Sequence, residues 1–322
     1  MKKILLIVAL LLSFIVSSVY SESQEITVHF STKNVKQGHS LSIYLASKKP
    51  LMECKAFLPD RIISFFNVYQ NKVFRAIYGI DVAEPPGNRR LFIQAKTASG
   101  RIIKQYVNYQ IVEHIFRQTT TDGRTFQAAV VFTPQMIAIL KDRKRLAEEA
   151  RYLHGILKTQ TPVQQWTGNF IYPVEWLTYR EKRVNGKIVR EPRETPIFGA
   201  KRVNITRTGS RVSYHRGTDY VNYTWTKVHA VASGKIITAR FLKARGYTVV
   251  IDHGHGILSL YCHLHKLKVR ENQTVNKGDF IAYMGSTGLS TGSHLHFELR
   301  AQNVSVTSHE WYAFTFYFPL FY

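Results

Sequence analysis

The residues that point most clearly to catalysis or metal binding, by their type and spacing, are two histidines near the C-terminus. His294 and His296 lie two positions apart in the segment Ser290-Thr-Gly-Ser-His-Leu-His-Phe-Glu-Leu-Arg300. On a β-strand, residues i and i+2 point to the same face, so the two imidazoles are expected to project side by side. One of them could hold a metal ion while the other handles protons or charge beside it. Such a site needs further ligands from elsewhere in the chain.

Two more groups could complete this site, namely His215-Arg-Gly-Thr-Asp219 and Tyr261-Cys-His263. Zinc takes nitrogen and oxygen ligands in a tetrahedron, and a catalytic site leaves one corner open. His215, Asp219 and one histidine of the pair would supply three ligands. The other histidine of the pair and His263 would move protons and stabilise an oxyanion, although the residues alone do not divide these roles. Any one of these histidines could be an ordinary polar residue on a strand, but three groups with workable spacings favour a site.

The segments that must position these groups have the pattern of β-strands. Asn185-Gly186 favours a two-residue hairpin turn. Beyond it, apolar stretches separated by glycine-rich turns predict five strands: Lys235–Arg240, Tyr247–Asp252, Ile257–His263, Phe280–Met284 and His294–Arg300. Strand parity places Cys262 on the face opposite to its neighbour His263, in the core.

The preceding part of the chain predicts a second β domain and a helix. Short alternating segments with regular turns indicate an immunoglobulin-like β-sandwich over residues 22–117. Residues 118–164 form a helical linker, in which Thr133 caps a helix that begins at Pro134. The fold class is therefore mainly β, with a linking α-helix and a C-terminal antiparallel β-sheet domain over residues 165–322.

The first 21 residues have the features of a secretory signal peptide. Lys2 and Lys3 precede an apolar run that ends in small residues, which predicts cleavage after Ser21. An uncleaved N-terminal anchor is the alternative. Cys54 and Cys262, the two cysteines of the chain, fall in different predicted domains, so no disulfide framework is expected.

The charge balance points to anionic partners. The chain has 44 Lys and Arg residues against 21 Asp and Glu residues, a net charge of +23 that falls to +21 without the two lysines of the signal segment. Such a surface attracts polyanions. Because an exported protein seldom meets nucleic acid, anionic membrane lipids or envelope polymers are the favoured partners. A generally basic proteome would explain the charge equally well.

Three motifs of this chain, found in order, resemble those of the M23 zinc metallopeptidases of the lysostaphin and LytM type. The motifs are His215-x-x-x-Asp219, Tyr261-x-His263-Leu and Gly285-Ser-Thr-Gly-Leu-Ser-Thr-Gly-Ser-His294-Leu-His296-Phe-Glu. The resemblance covers roughly residues 166–312. It implies that His215, Asp219 and His296 bind one Zn²⁺ ion. It also implies that His263 and His294 are catalytic and flank the scissile carbonyl in a groove.

The resemblance implies a zinc endopeptidase that cuts peptide bonds of bacterial peptidoglycan for cell-wall remodelling. The expected location is the periplasm or cell envelope. Two alternatives stay open: a non-catalytic module that binds the wall or activates a partner, and a zinc peptidase that acts on proteins. The N-terminal domain, the helix or the Asn185-Gly186 hairpin could cover the groove until a regulator binds.

Overall fold

A computed structural model describes residues 25–116, 133–175, 179–184, 187–192, 198–206 and 209–312. The chain is mainly β, as predicted, with short helices and a C-terminal antiparallel sheet. The predicted signal peptide and residues 313–322 lie outside the described residues. Among the helices that are described, none is long and apolar enough to cross a membrane.

The N-terminal strands form two sheets that share one apolar core. The first sheet has the order β1-β3-β7-β6 and the second the order β2-β9-β8-β4-β5. An immunoglobulin-like arrangement of these sheets stays a prediction. The strands are β1 Ile26–Phe30, β2 Asn34–Lys36, β3 Ser40–Ser47, β4 Leu51–Leu58, β5 Arg61–Ser64, β6 Phe66–Tyr69, β7 Val73–Gly79, β8 Gly87–Thr97 and β9 Ile102–Val112.

The helical segment begins where the sequence predicts and then breaks. Helix α1 spans Pro134–Lys141, and the Thr133 side chain caps it by accepting a hydrogen bond from the Met136 amide at 3.2 Å. The predicted single helix is wrong, because Asp142 leaves the helical conformation and caps a second helix, α2, over Arg143–Ile156. Its carboxylate accepts a hydrogen bond from the Arg145 amide at 3.2 Å. A side-chain cap of this kind competes with helix continuation.

The C-terminal strands form two hairpins and one large sheet. The strands on both sides of the predicted Asn185-Gly186 turn pair antiparallel, while the turn itself lies outside the described residues. The hairpins are β10 Tyr179–Val184 with β11 Lys187–Pro192, and β12 Lys201–Thr206 with β13 Gly209–Tyr214. The sheet strands are β14 Thr218–Val221, β15 Lys227–His229, β16 Gly234–Leu242, β17 Gly246–Gly254, β18 Ile257–Leu267, β19 Thr274–Val275, β20 Phe280–Met284, β21 His294–Ala301 and β22 Val304–Val306, followed by helix α3 at His309–Tyr312. The five predicted strands of this part are thereby confirmed.

The large sheet has the central order β14-β21-β18-β17-β16-β19, and its two faces are covered differently. One face carries the main apolar core of the domain. On the other face, Leu153 and Leu157, at and just beyond the end of α2, pack against an apolar cluster that includes Leu260. The strand register pairs Leu260 with Glu298 and Cys262 with His296. Opposed residues share a face of the sheet, so Leu260 lies on the same face as His296. Helix α2 therefore covers the continuation of the face that bears the histidines.

The N-terminal sheets dock directly on the C-terminal domain. The Gln302 side chain accepts a hydrogen bond from the Ser64 amide at 2.8 Å and donates one to the Ser64 carbonyl at 2.9 Å. Glu310 accepts hydrogen bonds from the Ser40 amide at 2.8 Å and the Ser40 hydroxyl at 2.6 Å. Cys54 and Cys262 are both free and buried, so these contacts join the two parts without a disulfide between the two cysteines.

Candidate metal centre and active site

A tight turn between β13 and β14 fixes the position of His215. Its backbone amide donates to the Ala200 carbonyl at 2.9 Å, and its carbonyl accepts from the Gly199 amide at 2.8 Å. A Cβ atom at Gly217 would lie 2.6 Å from the Phe297 carbonyl oxygen and 2.7 Å from the His296 ring. Only glycine allows this approach, which explains the glycine between His215 and Asp219 in physical terms.

Strand pairing brings the other two candidate metal ligands together. Asp219 on β14 lies directly opposite His296 on β21 in the antiparallel register. The Nδ1 atom of His296 is 2.8 Å from Asp219 Oδ1 and 3.1 Å from His215 Nε2. The distance between His215 Nε2 and Asp219 Oδ1 is 3.2 Å. Two imidazole nitrogens and one carboxylate oxygen thus converge on a single point.

This donor set fits a zinc ion. The candidate ligand atoms of His215, Asp219 and His296 all lie within 4.8 Å of one another. His215 and Asp219 are buried, while His296 is partly accessible. Three nitrogen and oxygen ligands on one side, with access from the other, are typical of catalytic zinc sites, whereas structural sites have a fourth protein ligand.

A backbone irregularity brings His263 to the same face. His263 has a φ angle of +58°, and the pairing of β18 with β17 shifts register at this point. As a result, its ring lies 4.8 Å from the His294 ring and 6.0 Å from the His296 ring, measured between centroids. A positive φ at a non-glycine residue is uncommon and costs conformational energy, and such positions cluster at functional sites.

His263 and His294 have the same hydrogen-bonding arrangement. The Nδ1 atom of His263 lies 2.8 Å from the Thr287 carbonyl oxygen, and the Nδ1 atom of His294 lies 2.8 Å from the Gly292 carbonyl oxygen. Because a carbonyl only accepts, each Nδ1 carries the hydrogen. In the neutral form, each ring therefore keeps an unprotonated Nε2. The loop 285–292 thus sets the tautomer of both rings.

A buried network of charges supports His296 from behind. Its Nε2 atom lies 3.2 Å from Glu298 Oε1, an acceptor on the same face of β21. Arg245 donates to the same oxygen at 2.7 Å, and Arg300 donates to Glu298 Oε2 at 2.8 Å. The Glu298 side chain is only 1% exposed. Two arginines therefore compensate the charge of a buried carboxylate that orients His296.

The environment shifts the pKa values of the site in opposite directions. Burial and the neighbouring rings of His294 and His296 lower the pKa of His263 to about 3, so His263 is neutral at physiological pH. Burial also acts on His296, but the carboxylates of Asp219 and Glu298 outweigh it and raise its pKa to about 10. For Asp219, the two imidazoles outweigh burial and hold the pKa of the carboxyl well below its usual range.

The structure brings all five predicted site residues together and corrects one neighbour. Cys262 is buried, as predicted, but it lies opposite His296 on the face of the site, and Arg245 Nη1 is 3.6 Å from its sulfur. The parity argument is wrong here because the irregularity at His263 puts two consecutive residues on one face. Sequence reasoning also missed Glu298 and Arg245. The signal for Glu298 was present, since it continues the i, i+2 series that begins at His294.

Comparison with known proteins agrees with this geometry. The model of peptidase family M23 matches residues 213–308, a range that holds every ligand and histidine of the site. Residues 213–308 therefore have the sequence pattern of peptidase family M23. The peptidoglycan DD-endopeptidase ShyB of Vibrio cholerae is 39% identical over 93 residues, which are 29% of this chain and 22% of that protein. The murein hydrolase activator EnvC of Escherichia coli is 37% identical over 86 residues, 27% of this chain and 20% of its own.

The similarity to curated relatives is local, whereas similarity of fold extends further. The chain spans about a fifth of the length of these two relatives. The crystal structure of a putative M23 peptidase from Pseudomonas aeruginosa matches 84% of this chain and 92% of its own, with a TM-score of 0.55 and 19% sequence identity. At that identity, the match supports a shared fold that includes strands outside residues 213–308.

Proposed function

We propose that this protein is a zinc-dependent endopeptidase that cleaves peptide bonds in bacterial peptidoglycan. The observation that carries the proposal is the convergence of His215 Nε2, Asp219 Oδ1 and His296 Nδ1 beside the rings of His263 and His294. The name of ShyB adds support for peptidoglycan as the substrate. Only 22% of that relative is matched, so peptidoglycan is proposed here as the substrate and is tested below.

The residues have separate roles in the proposed reaction. His215, Asp219 and His296 hold one zinc ion, which polarises water and the scissile carbonyl when it is bound. His263, neutral and with a free Nε2, accepts a proton from the attacking water and passes it to the amine nitrogen that leaves when the peptide C–N bond breaks. His294 donates a hydrogen bond from Nε2, in its protonated form, to the oxyanion that develops on the carbonyl. The carbonyl oxygens of Thr287 and Gly292 keep both rings oriented through the reaction.

The remaining features of the chain complete the proposal. Residues 1–21 direct export as a signal peptide, so the enzyme works in the periplasm or cell envelope. Residues 22–117 form an immunoglobulin-like module, residues 118–164 a helical linker and residues 165–322 the peptidase domain. The proposal also includes a regulator, which would uncover the groove where the N-terminal domain, the helix or the Asn185-Gly186 hairpin blocks it.

Digestion of purified sacculi tests the function. We expect residues 22–322, loaded with zinc, to release soluble muropeptides whose masses identify the bond cut. A chelator and the His263→Ala variant should each stop the release. Intact sacculi under these conditions would contradict the endopeptidase proposal. If the same protein then stimulated a separate murein hydrolase, an activator role like that of EnvC would replace the endopeptidase proposal. Cleavage of unrelated proteins at equal rates would instead support a general zinc peptidase.

A further inference from the structure

The outward surface of the N-terminal five-stranded sheet carries an unassigned row of apolar side chains. Along β4, β5, β8 and β9, inward residues such as Ala56, Ile63 and Ile93 are fully or almost fully buried, and the alternate residues face outward. Four outward residues lie directly opposite one another across the strands: Ile62, Phe57, Phe92 and Tyr106. We call these four residues the aromatic row.

The aromatic row is continuous and accessible. Ring centroids are 5.8 Å apart between Phe57 and Phe92, and 4.9 Å apart between Phe92 and Tyr106. The two ends of the row, Ile62 and Tyr106, are each 56% exposed. Four strands at a spacing of about 4.8 Å give a row of roughly 14 Å. Single exposed apolar residues need no explanation, but a contiguous exposed row marks an interaction surface.

Amide and cationic side chains flank the row on both sides. Lys55, Gln94 and Lys104 lie opposite one another in the adjacent row, and Asn108 pairs with Arg90 on the other side. The Arg90 guanidinium stands 4.0 Å from the centroid of the Tyr106 ring. This cation–π contact holds a positive charge beside an exposed aromatic face.

The charge of this surface is unbalanced. Lys55 pairs with Glu53, whose backbone lies opposite Lys96. In the part of the chain that the structure describes, no carboxylate lies within 4 Å of Arg90, Lys96 or Lys104. The surface therefore combines stacking rings, amide hydrogen-bonding groups and uncompensated positive charge. It is complementary to an anionic polymer whose units have apolar faces.

We propose that this surface binds the glycan strands of peptidoglycan together with their carboxylate-bearing stem peptides. The C–H faces of the sugar rings would stack on Phe92 and Tyr106, while Gln94 and Asn108 would bond hydroxyl and acetamido groups. Lys104 and Arg90 would attract the peptide carboxylates. The choice of polymer rests on the proposed function, but binding here does not require catalysis.

The position of the row suits delivery of the polymer to the peptidase domain. Ile62 at its end also lines a cavity of about 350 Å³ between the two parts of the chain, together with Lys158, Gln160 and Asn303. A glycan strand bound along the aromatic row would thus reach the C-terminal domain. Anchoring the polymer in this way would raise its effective concentration near the peptidase site without contributing to bond cleavage.

Co-sedimentation with sacculi tests the proposal in a background that cannot digest them. All proteins would be residues 22–322 with His263→Ala and bound zinc. We expect the variant F92S/Y106S to bind roughly tenfold more weakly than the parent. The variant R90Q/K104Q should bind about threefold to tenfold more weakly at low ionic strength and resemble the parent in high salt. The matched control K141Q/K144Q removes the same charge from exposed helical positions and should bind like the parent.

Further arms of the experiment separate the alternatives. Circular dichroism and zinc content establish that each variant is folded, and Tyr106→Ser alone replaces the double variant if that variant is not. The proposal would be overturned if F92S/Y106S and R90Q/K104Q sedimented with sacculi as well as the parent does. The proposal would also be overturned if these two variants lost binding to phosphatidylglycerol vesicles or to oligothymidine but still bound sacculi. Binding through the row without digestion by the unaltered protein would refute the proposed enzyme alone, whereas digestion with equal binding would refute the proposed surface alone.

Discussion

The Nε2 atom of His296 lies 3.2 Å from Glu298 Oε1, while Nδ1 of the same ring lies 2.8 Å from Asp219 Oδ1. The ring therefore stands between two carboxylates with different tasks. Asp219 belongs to the candidate ligand set, and Glu298 lies outside it. A histidine that ligates a metal through one nitrogen usually donates its other N–H to an acceptor of this kind, which fixes the ring and raises its basicity.

Glu298→Gln should therefore weaken zinc binding by about 10- to 100-fold. The amide is a poorer acceptor for His296, and it leaves the charges of Arg245 and Arg300 without their counterion. Competition with a chromophoric chelator measures the affinity directly. Because the same change also destabilises the fold, the melting temperature of the metal-free protein must be compared with that of the unaltered chain.

Ser305→Ala is the matched control for that experiment. The Ser305 hydroxyl approaches Glu298 Oε2 at 3.3 Å, on the side away from His296. Its removal should leave zinc affinity within about twofold, since both arginine contacts remain. An equal loss of affinity in the two variants would show that the network acts on general stability and not on the orientation of His296.

His263→Ala and His294→Ala should separate catalysis from metal binding. Loss of a group that transfers protons or stabilises charge typically lowers kcat by about 10²- to 10⁴-fold. Zinc content should stay at one ion per chain in both variants, because neither ring belongs to the converging ligand set. His215→Ala, by contrast, should lose both zinc and activity. Metal analysis beside muropeptide release measures both quantities. Loss of zinc from His294→Ala would reverse the roles assigned to the histidine pair.

The sequence predicts the parts of this site that depend on local strand geometry. Alternation along β21 places His294 and His296 on one face. The position of His263 depends on a positive φ angle, for which the chain gives no glycine as a signal. Arg245 reaches Glu298 from a turn 53 positions away, a long-range contact that periodicity cannot reveal.

The helical segment shows the same limit in another way. The Thr133–Pro134 start is a local signal and is confirmed. Apolar residues continue at helical spacing across Asp142, so the pattern predicts one helix. The break is stabilised from outside the helix, because Lys243 donates to the Asp142 carboxylate at 2.5 Å and the Lys243 amide donates to Glu149 at 2.6 Å. Tertiary contacts therefore override the local pattern here.

Glu310→Gln should loosen the docking of the N-terminal sheets. The Glu310 carboxylate accepts hydrogen bonds from the amide and hydroxyl of Ser40 and lies 2.9 Å from His39 Nδ1. A hydrogen bond to a charged group contributes about 1.5–3 kcal/mol, so we expect a loss of about 1–2 kcal/mol in the free energy of unfolding. Urea titration followed by tryptophan fluorescence measures it.

The control for this change is Glu175→Gln. Glu175 is 75% exposed and lies 3.5 Å from His229 Nε2, so it is a surface pair of small value. We expect its unfolding free energy to stay within about 0.5 kcal/mol of the unaltered protein. If Glu310→Gln were equally neutral, the contact with Ser40 would not contribute to holding the two parts together.

Acid should weaken the same junction through His255. Its ring stacks on Phe66 with centroids 4.7 Å apart, Arg75 donates to Nδ1 at 3.1 Å, and Nε2 donates to the Pro162 carbonyl at 3.0 Å. Burial and the Arg75 charge lower the pKa of His255 to about 4. In the unfolded chain, the pKa of histidine is near 6.5. The neutral ring thus contributes stability that is fully present above about pH 6.5 and is lost as the pH falls towards 4.

Unfolding by urea at a series of pH values between 4 and 7.5 checks this expectation, and His255→Gln provides the comparison. The variant should be less stable at neutral pH, because it loses the stacking on Phe66, but its stability should fall less steeply below pH 6.5. His253 also contributes to the slope in both proteins, since burial lowers its pKa to about 4 as well. The difference between the two curves therefore isolates His255, and parallel curves would show that protonation of this ring does not control the acid response of the junction.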